Sequence, residues 1–313
     1  MDDKIIEKPR VAALDLGSNS FLLTVAEIVA DGFEVLHDEC VITRLGQGVD
    51  SSGRLHPEAL KRAEESFKNF SQTMQSFGVQ KIKAMATSAA RDAKNGDAFI
   101  GIGRKYGIPI EIITGDREAE LTFKGGLVHL DTVGSPLIVD IGGGSTEFIT
   151  EINNEIVGRS LDIGSIRLTE KFISNHPVHE DELVAMASYV RGQLESLPEK
   201  FRVESSMIVA VAGTPTTLAS LIEATDFDVN KMHGKRVQLK DLEHWLITLK
   251  EMSVKKRLAL KGMQEGRADV IVAGLCILDE AIRFFHMDEF TVSCTGVRYG
   301  LLKELAQEIY EIV

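Results

Sequence analysis

At 313 residues the chain has room for two domains of ordinary size, and a hydrophobic content of 44% is ample for packed cores. A formal net charge of −12 argues against a general nucleic-acid binder, so an anionic ligand must be met by a local gathering of basic residues. No apolar run approaches the ~20 residues that cross a bilayer, and Met1-Asp2-Asp3-Lys4 lacks the basic and apolar regions of a signal peptide. Cys40, Cys276 and Cys294 show no paired spacing, which fits reduced thiols in the cytoplasm.

In chain order, Val11 to Ile42 reads as three strands with turns at Gly17-Ser18-Asn19 and Asp31-Gly32. Pro57 opens a helix: Leu60, Ala63, Phe67, Phe70, Met74 and Phe77 recur at helical spacing, and Gly78 ends it. Lys81 to Met85 is a short strand reaching Thr87-Ser88. A helix spans Asp97 to Tyr106, a strand Ile108 to Ile113, and a helix about Asp116 to His129. Pro136 starts a second cycle: a strand, a hairpin, two more strands by about Leu161, then helices near Arg167–Ser174 and Glu180–Phe201. Met207 to Val211 is a buried strand running into Ala212-Gly213-Thr214-Pro215, which opens a helix with proline near its first turn. Helices dominate from Lys240 to His286, Phe290 to Ser293 is a last strand, and Gly296 starts a last helix.

The order strand-strand-strand-helix-strand-helix is thus stated twice. The stretch from Asp131 to Pro136, with its Gly134, is the natural hinge. One phrase also recurs at the same offset. Asp15-Leu16-Gly17-Ser18-Asn19-Ser20 and Asp140-Ile141-Gly142-Gly143-Gly144-Ser145 each follow an apolar run and precede a strand. A single copy would read as an ordinary hairpin turn, because Asp, Gly, Asn and Ser all favour turns. Two copies point to hairpins facing one anionic ligand. Glycines let backbone N–H groups approach oxyanions, and the carboxylates of Asp15 and Asp140 suit Mg²⁺.

With these motifs the chain resembles the exopolyphosphatase and guanosine-pentaphosphate phosphohydrolase family, in its short two-domain subclass, along essentially its whole length. The resemblance rests on Ala13-Leu-Asp-Leu-Gly-Ser-Asn-Ser-Phe21, Arg44-Leu-Gly-Gln-Gly48, Ala86-Thr-Ser-Ala-Ala-Arg91, Gly115-Asp-Arg-Glu-Ala119 and Asp140-Ile-Gly-Gly-Gly-Ser-Thr-Glu147. Gly164-Ser-Ile-Arg-Leu-Thr-Glu170, Ala212-Gly-Thr214, Gly266-Arg-Ala-Asp269 and Gly296-Val-Arg-Tyr-Gly-Leu301 continue it. The fold it implies is α/β: a duplicated ribonuclease-H-like fold of the actin, hexokinase and chaperone-ATPase superfamily, with an interdomain cleft. Residues 1–132 with 297–313 would form one domain and 133–296 the other.

The resemblance implies removal of terminal phosphate from inorganic polyphosphate, or from guanosine pentaphosphate to leave the tetraphosphate, by a homodimer that uses Mg²⁺ or Mn²⁺. Glu118 is the family-like catalytic carboxylate, with Glu147 beside it in role. Relatives often carry consecutive acids before that glutamate, where this chain has Arg117. Asp140 and Asp15 would hold the metal. Gly17, Ser18, Asn19, Ser20, Thr87, Ser88, Gly142, Gly143, Gly144, Ser145, Gly213 and Thr214 would donate to phosphate oxygens. Arg44, Arg91, Arg267 and Arg298 lie in the matched blocks and would form an anion track. Two other readings stay open: a sugar- or acyl-type kinase on the same fold, and a slow alarmone-binding sensor.

Overall fold

The computed structural model describes residues 8–30, 32–132, 134–264 and 266–310. The chain start read for a signal peptide, Asp31 of the second turn and Val133 of the hinge stretch lie outside the described residues. Strands β1 (Arg10–Leu16), β2 (Ser20–Val29) and β3 (Gly32–Ile42) form an antiparallel meander. They are followed by α1 (Val49–Ser52), α2 (Pro57–Ser76), β4 (Lys81–Ala86), α3 (Ser88–Asp92), α4 (Gly96–Lys105) and β5 (Ile110–Ile112). Helix α5 (Gly115–Gly126) precedes a second meander of β6 (Pro136–Ile141), β7 (Thr146–Ile152) and β8 (Glu155–Leu161). Then come α6 (Ser165–Phe172), α7 (Glu180–Leu194), α8 (Lys200–Glu204), β9 (Met207–Val211), α9 (Gly213–Ile222), α10 (Val229–Met232) and β10 (Arg236–Gln238). The chain continues through α11 (Leu239–Lys250), α12 (Val254–Leu258), α13 (Ile271–Phe284), β11 (Glu289–Val292) and α14 (Val297–Tyr310).

The two sheets repeat one plan. The first has the order β3-β2-β1-β4-β5, and the second β8-β7-β6-β9-β11 with β10 added at its edge. In each, the first strand of the meander runs parallel to a later strand: β1 beside β4, β6 beside β9. Strands β1 and β6 are therefore central. Their continuous apolar runs, Val11 to Leu14 and Leu137 to Val139, are fully buried, as strands covered on both faces require. The antiparallel edge strand β10 carries no period-2 signal in its three residues, and the sequence reading passes over it.

The chain divides into two compact units, Met1–Ile113 with Arg298–Val313, and Thr114–Val297. In the first unit, α2 starts at Pro57 with the His56 imidazole accepting the Glu58 N–H. It buries Ala59, Ala63, Phe67, Phe70 and Met74. Phe67 stacks on Phe21 of β2 with ring centroids 5.5 Å apart. Helix α14 is fastened to β4 through Lys83, which reaches Glu304 and Glu308, and through Lys81 on Glu308. In the second unit, α13 is buried on every side from Ile271 to Ile282, and α6, α7, α9 and α11 pack on it. Helix α5 packs on β6, β7 and β8 and so belongs with the second sheet.

Two boundaries differ from expectation for local reasons. Ile108 stays out of β5 because its N–H closes onto Gly103 O at the end of α4, at 2.9 Å. The helix expected through Phe201 stops at Leu194, and α8 begins anew beyond Pro198, which lacks the N–H an unbroken helix needs.

Candidate active site

The two repeated hairpins close alike. Gly17 N–H donates to Ser20 O at 3.1 Å, and Gly142 N–H donates to Ser145 O at 3.0 Å. Register then decides what faces each aspartate. Asp15 lies opposite Leu22 on β2, whereas Asp140 lies opposite Glu147 on β7. The second hairpin therefore sets two carboxylates side by side on neighbouring strands. The first carries one.

Around the first hairpin, the backbone is tied to two matched blocks. Ser18 O accepts the Gly46 N–H at 2.8 Å, and Asn19 O accepts those of Thr43 and Arg44 at 3.0 and 2.9 Å. The Ser18 hydroxyl lies 2.9 Å from that of Ser88 and accepts the Ala89 N–H at 3.2 Å. The strand end, the Arg44 turn and the Thr87-to-Arg91 segment thus form one cluster. Arg44 adopts a left-handed φ of 49°, and the Arg62 guanidinium donates to the carbonyls of Thr43 and Arg44. Arg91 donates to Ile113 O at 3.0 Å. Asn19 is 5% exposed, and neither its side-chain oxygen nor its nitrogen has a hydrogen-bond partner among the described residues. Buried amides left so are uncommon and costly, and ligands relieve them.

Arg298 is placed apart from that cluster. Its guanidinium donates to Asp38 at 3.0 Å, and Asp38 also accepts the Thr24 hydroxyl. Thr24–Asp38 lies well along the β2–β3 ladder from the hairpin pair Ser20–Ile42. Arg298→Ala is expected to cost about 2–3 kcal/mol, below the full cost of breaking a buried pair because Asp38 keeps some solvent. Urea unfolding checks this, and an unchanged midpoint would contradict it.

In the second unit the glycine turn doubles as a helix cap. Gly143 O accepts the N–H groups of Ile166 and Arg167, and Gly142 O accepts the Ser165 N–H and hydroxyl. Gly164 has no room for a Cβ, which would strike the Gly143 backbone. The start of the block from Gly164 to Glu170, Gly164 to Arg167, thus supports the hairpin. Glu147 is 2% exposed and accepts the Ser160 hydroxyl from β8 at 2.7 Å.

Glu118 sits in the first turn of α5, capped by the Thr114 side chain on the Arg117 N–H at 3.3 Å. It is 8% exposed. That turn rests on β8: a Cβ on Gly158 would lie 2.6 Å from Ala119 Cβ, and one on Gly115 would lie 3.8 Å from Ser160 Cβ. Ser160 therefore stands beside the α5 turn while its hydroxyl holds Glu147. Arg117 pairs with Glu120 at 2.7 Å. Lys124 and then Arg117 hold the Glu120 carboxyl below the usual range. Gly158→Ala is expected to push α5 off β8, costing about 1–3 kcal/mol and reducing turnover with it. Thermal unfolding and kcat test this together, and wild-type values in both would show that α5 tolerates the shift.

The third block lies where β9 enters α9. Ala212 takes φ 74° and ψ −162°, a region ordinarily left to glycine. Its carbonyl accepts the Thr216 hydroxyl at 3.0 Å. At Gly213 the space a Cβ would fill is taken by the Arg267 guanidinium, and Thr214 packs on Gly274. Arg267 is thus brought to the start of α9. Sequence reasoning passes over Gly158 and Ser160, although a glycine within a strand signals a close approach.

Among the described residues there is no group of three or more His, Cys, Asp or Glu side chains able to hold a metal ion. No helix among them is long and apolar enough to cross a membrane. The oxygen donors of Asp140, opposite Glu147, suit Mg²⁺, which keeps waters and takes only one or two protein carboxylates beside substrate phosphates.

Two mixed sheets of one strand order, each with an aspartate and a glycine turn closing its central strand, define the actin-like two-domain α/β class. Comparison with known proteins narrows this. The chain belongs to the Ppx/GppA phosphatase family, whose model matches residues 24–309. It is 36% identical over 314 residues to exopolyphosphatase 2 of Mycobacterium tuberculosis, covering 95% of this chain and 98% of that protein. The structure of an exopolyphosphatase from Cytophaga hutchinsonii superimposes with a TM-score of 0.87 at 30% identity, covering 96% of this chain and 98% of that one. A guanosine-5'-triphosphate,3'-diphosphate pyrophosphatase of Pseudoalteromonas translucida is 28% identical over 311 residues, covering 97% of this chain and 61% of that protein.

Proposed function

We propose that the protein hydrolyses phosphoanhydrides, releasing terminal phosphate from inorganic polyphosphate, from guanosine pentaphosphate, or from both. The observation that carries this is the carboxylate set of the second unit. Asp140 and Glu147 face each other across the glycine hairpin, and Glu118 stands on the α5 turn that Ser160 borders. Hydrolysis needs neutralised equatorial oxygens, an in-line water and a group to orient that water. Glu118 is assigned the last role, taking the proton as water attacks, with Glu147 held in place by Ser160. The hairpin N–H groups from Gly142 to Ser145 donate to phosphate oxygens. In the first unit Gly17 to Ser20, Thr87 and Ser88 form a like set, with the unpartnered Asn19 amide in its midst. A Mg²⁺ or Mn²⁺ ion held by Asp140, with Asp15 of the first unit as the alternative holder, would neutralise phosphate charge.

The kinase reading needs room for an adenosine at the third block. The Arg267 guanidinium against Gly213 favours an anion there instead. The decisive assay is phosphate release from polyphosphate, guanosine pentaphosphate and ATP, with and without Mg²⁺. Release from neither of the first two, or equal release from ATP, would overturn the proposal.

Binding is also expected to be steeply salt-dependent despite the net charge of −12. Arg44→Ala, Arg91→Ala and Arg267→Ala should each weaken binding and flatten the slope of log Kd against log salt, as in counterion release. A Kd series across salt for polyphosphate tests this. Three variants indistinguishable from the parent would remove these arginines from the ligand site.

A further inference from the structure

We propose that Arg257, a buried cation of α12, is the positioning residue for Arg267, holding the turn that carries it so that its guanidinium lies against Gly213. The proposal rests on the reading of Arg267 as a phosphate-binding residue.

Arg257 is fully buried. Two of its three nitrogens are committed, while Nη2 has no hydrogen-bond partner among the described residues. Its Nε donates to Leu249 O at the end of α11, at 2.7 Å. Its Nη1 donates to Ala268 O at 2.8 Å and lies 3.1 Å from His176 Nδ1. Burial, followed by the charge of Arg257, lowers the pKa of His176, so the imidazole is neutral and accepts. Burial pulls Arg257 itself down to about 10, with Asp269 opposing, so it stays charged at neutral pH.

Ala268 is the residue after Arg267, so this fork grips the backbone at the point where Arg267 departs from it. The surrounding segment wraps α9. Gly262 packs against the Ser220 carbonyl, the Arg267 guanidinium against Gly213, and Gly274 against Thr214. The turn itself contains left-handed glycines, Gly262 at φ 96° and Gly266 at φ 81°. Glycines leave a backbone free to move. Arg267 Nε donates to Gln264 at 3.3 Å within the same turn, and its carbonyl accepts the Val270 and Ile271 N–H groups where α13 begins. The planar fork of Arg257 ties this turn to the end of α11, spanning the Leu249 and Ala268 carbonyls. A lysine, with one nitrogen, cannot reproduce that span.

A purely structural role would lower stability without singling out Arg267. The test is therefore a double-variant cycle. We would measure kcat and KM for phosphate release from inorganic polyphosphate, with Tm, in the parent, Arg267→Ala, Arg257→Lys and the double variant. Arg267→Ala is expected to raise KM about tenfold, the order of one charge-assisted contact. Arg257→Lys should raise KM by several-fold in the parent, with kcat little changed. In the Arg267→Ala background it should leave KM within about twofold, although Tm falls equally in both. An equal rise in KM in both backgrounds, or none in the parent, overturns the positioning role while leaving Arg267 as a ligand contact. An unchanged KM in Arg267→Ala overturns the reading of Arg267, and this proposal with it. Where Arg257→Lys does not fold, His176→Ala keeps the guanidinium, removes one anchor and is judged by the same criteria.

Discussion

Glu118→Gln is expected to lower kcat for phosphate release by about 10²–10⁴-fold, the span credited to a positioned general base. KM should change far less, because the carboxylate acts on the attacking water in the transition state and not on the bound chain. The substitution keeps the shape and hydrogen-bonding reach of the side chain and removes its charge. That isolation matters here. Glu118 is buried to 8% exposure in the first turn of α5, and a truncation to Ala would also remove buried side-chain volume. The N-terminal turn of a helix favours a carboxylate by a few tenths to one kcal/mol. Glu118→Gln should therefore cost at most about 1 kcal/mol of stability, and a circular-dichroism melt would separate that from the kinetic loss. Activity within a few-fold of the parent would sink the assignment and move the role to Glu147, whose Glu147→Gln variant is the natural companion. Glu147 accepts the Ser160 hydroxyl, a bond that a glutamine oxygen retains, so its loss would also report on charge.

The second large effect is expected at Asp140. Asp140→Asn should abolish most activity at millimolar Mg²⁺ and shift the metal concentration for half-activation upward. Hard carboxylate oxygen donors suit Mg²⁺ or Mn²⁺. Asp140 ends a central strand, and its cross-strand partner is another acid, Glu147. A divalent cation would offset two carboxylates so placed, whereas the pair alone is repulsive. Magnesium titrations of the parent and Asp140→Asn, read by phosphate release, make the comparison. Full activity of the parent after exhaustive chelation would contradict the metal requirement. Equal half-activation in both proteins would move the metal away from Asp140, towards Asp15.

The duplication was legible in the residues themselves. A hairpin is closed by contacts a few positions apart, so Asp15 to Ser20 and Asp140 to Ser145 announce their turns through local chemistry. The bonds Gly17 to Ser20 and Gly142 to Ser145 are the result. The apolar runs of β1, β6 and β9 announced central strands for the same reason, since burial on both faces leaves no alternation. Helix α2 carried its own start and stop signals. What the residues could not state was the partner of each side chain across long sequence distances. Arg298 meets Asp38 and Arg267 meets Gly213 only once sheets and helices have packed. Arg257, read from sequence, is one basic residue among several in α12; only the tertiary structure withdraws it from water onto the Ala268 carbonyl. Register belongs to the same class. The opposition of Asp140 to Glu147, against Asp15 to Leu22, depends on the pairing of β7 with β6, and the place of Glu118 depends on Gly158 letting α5 come close. Local conformational preference thus set the turns and elements, whereas the chemistry of the site was assembled by packing, whose contacts no short stretch of sequence contains.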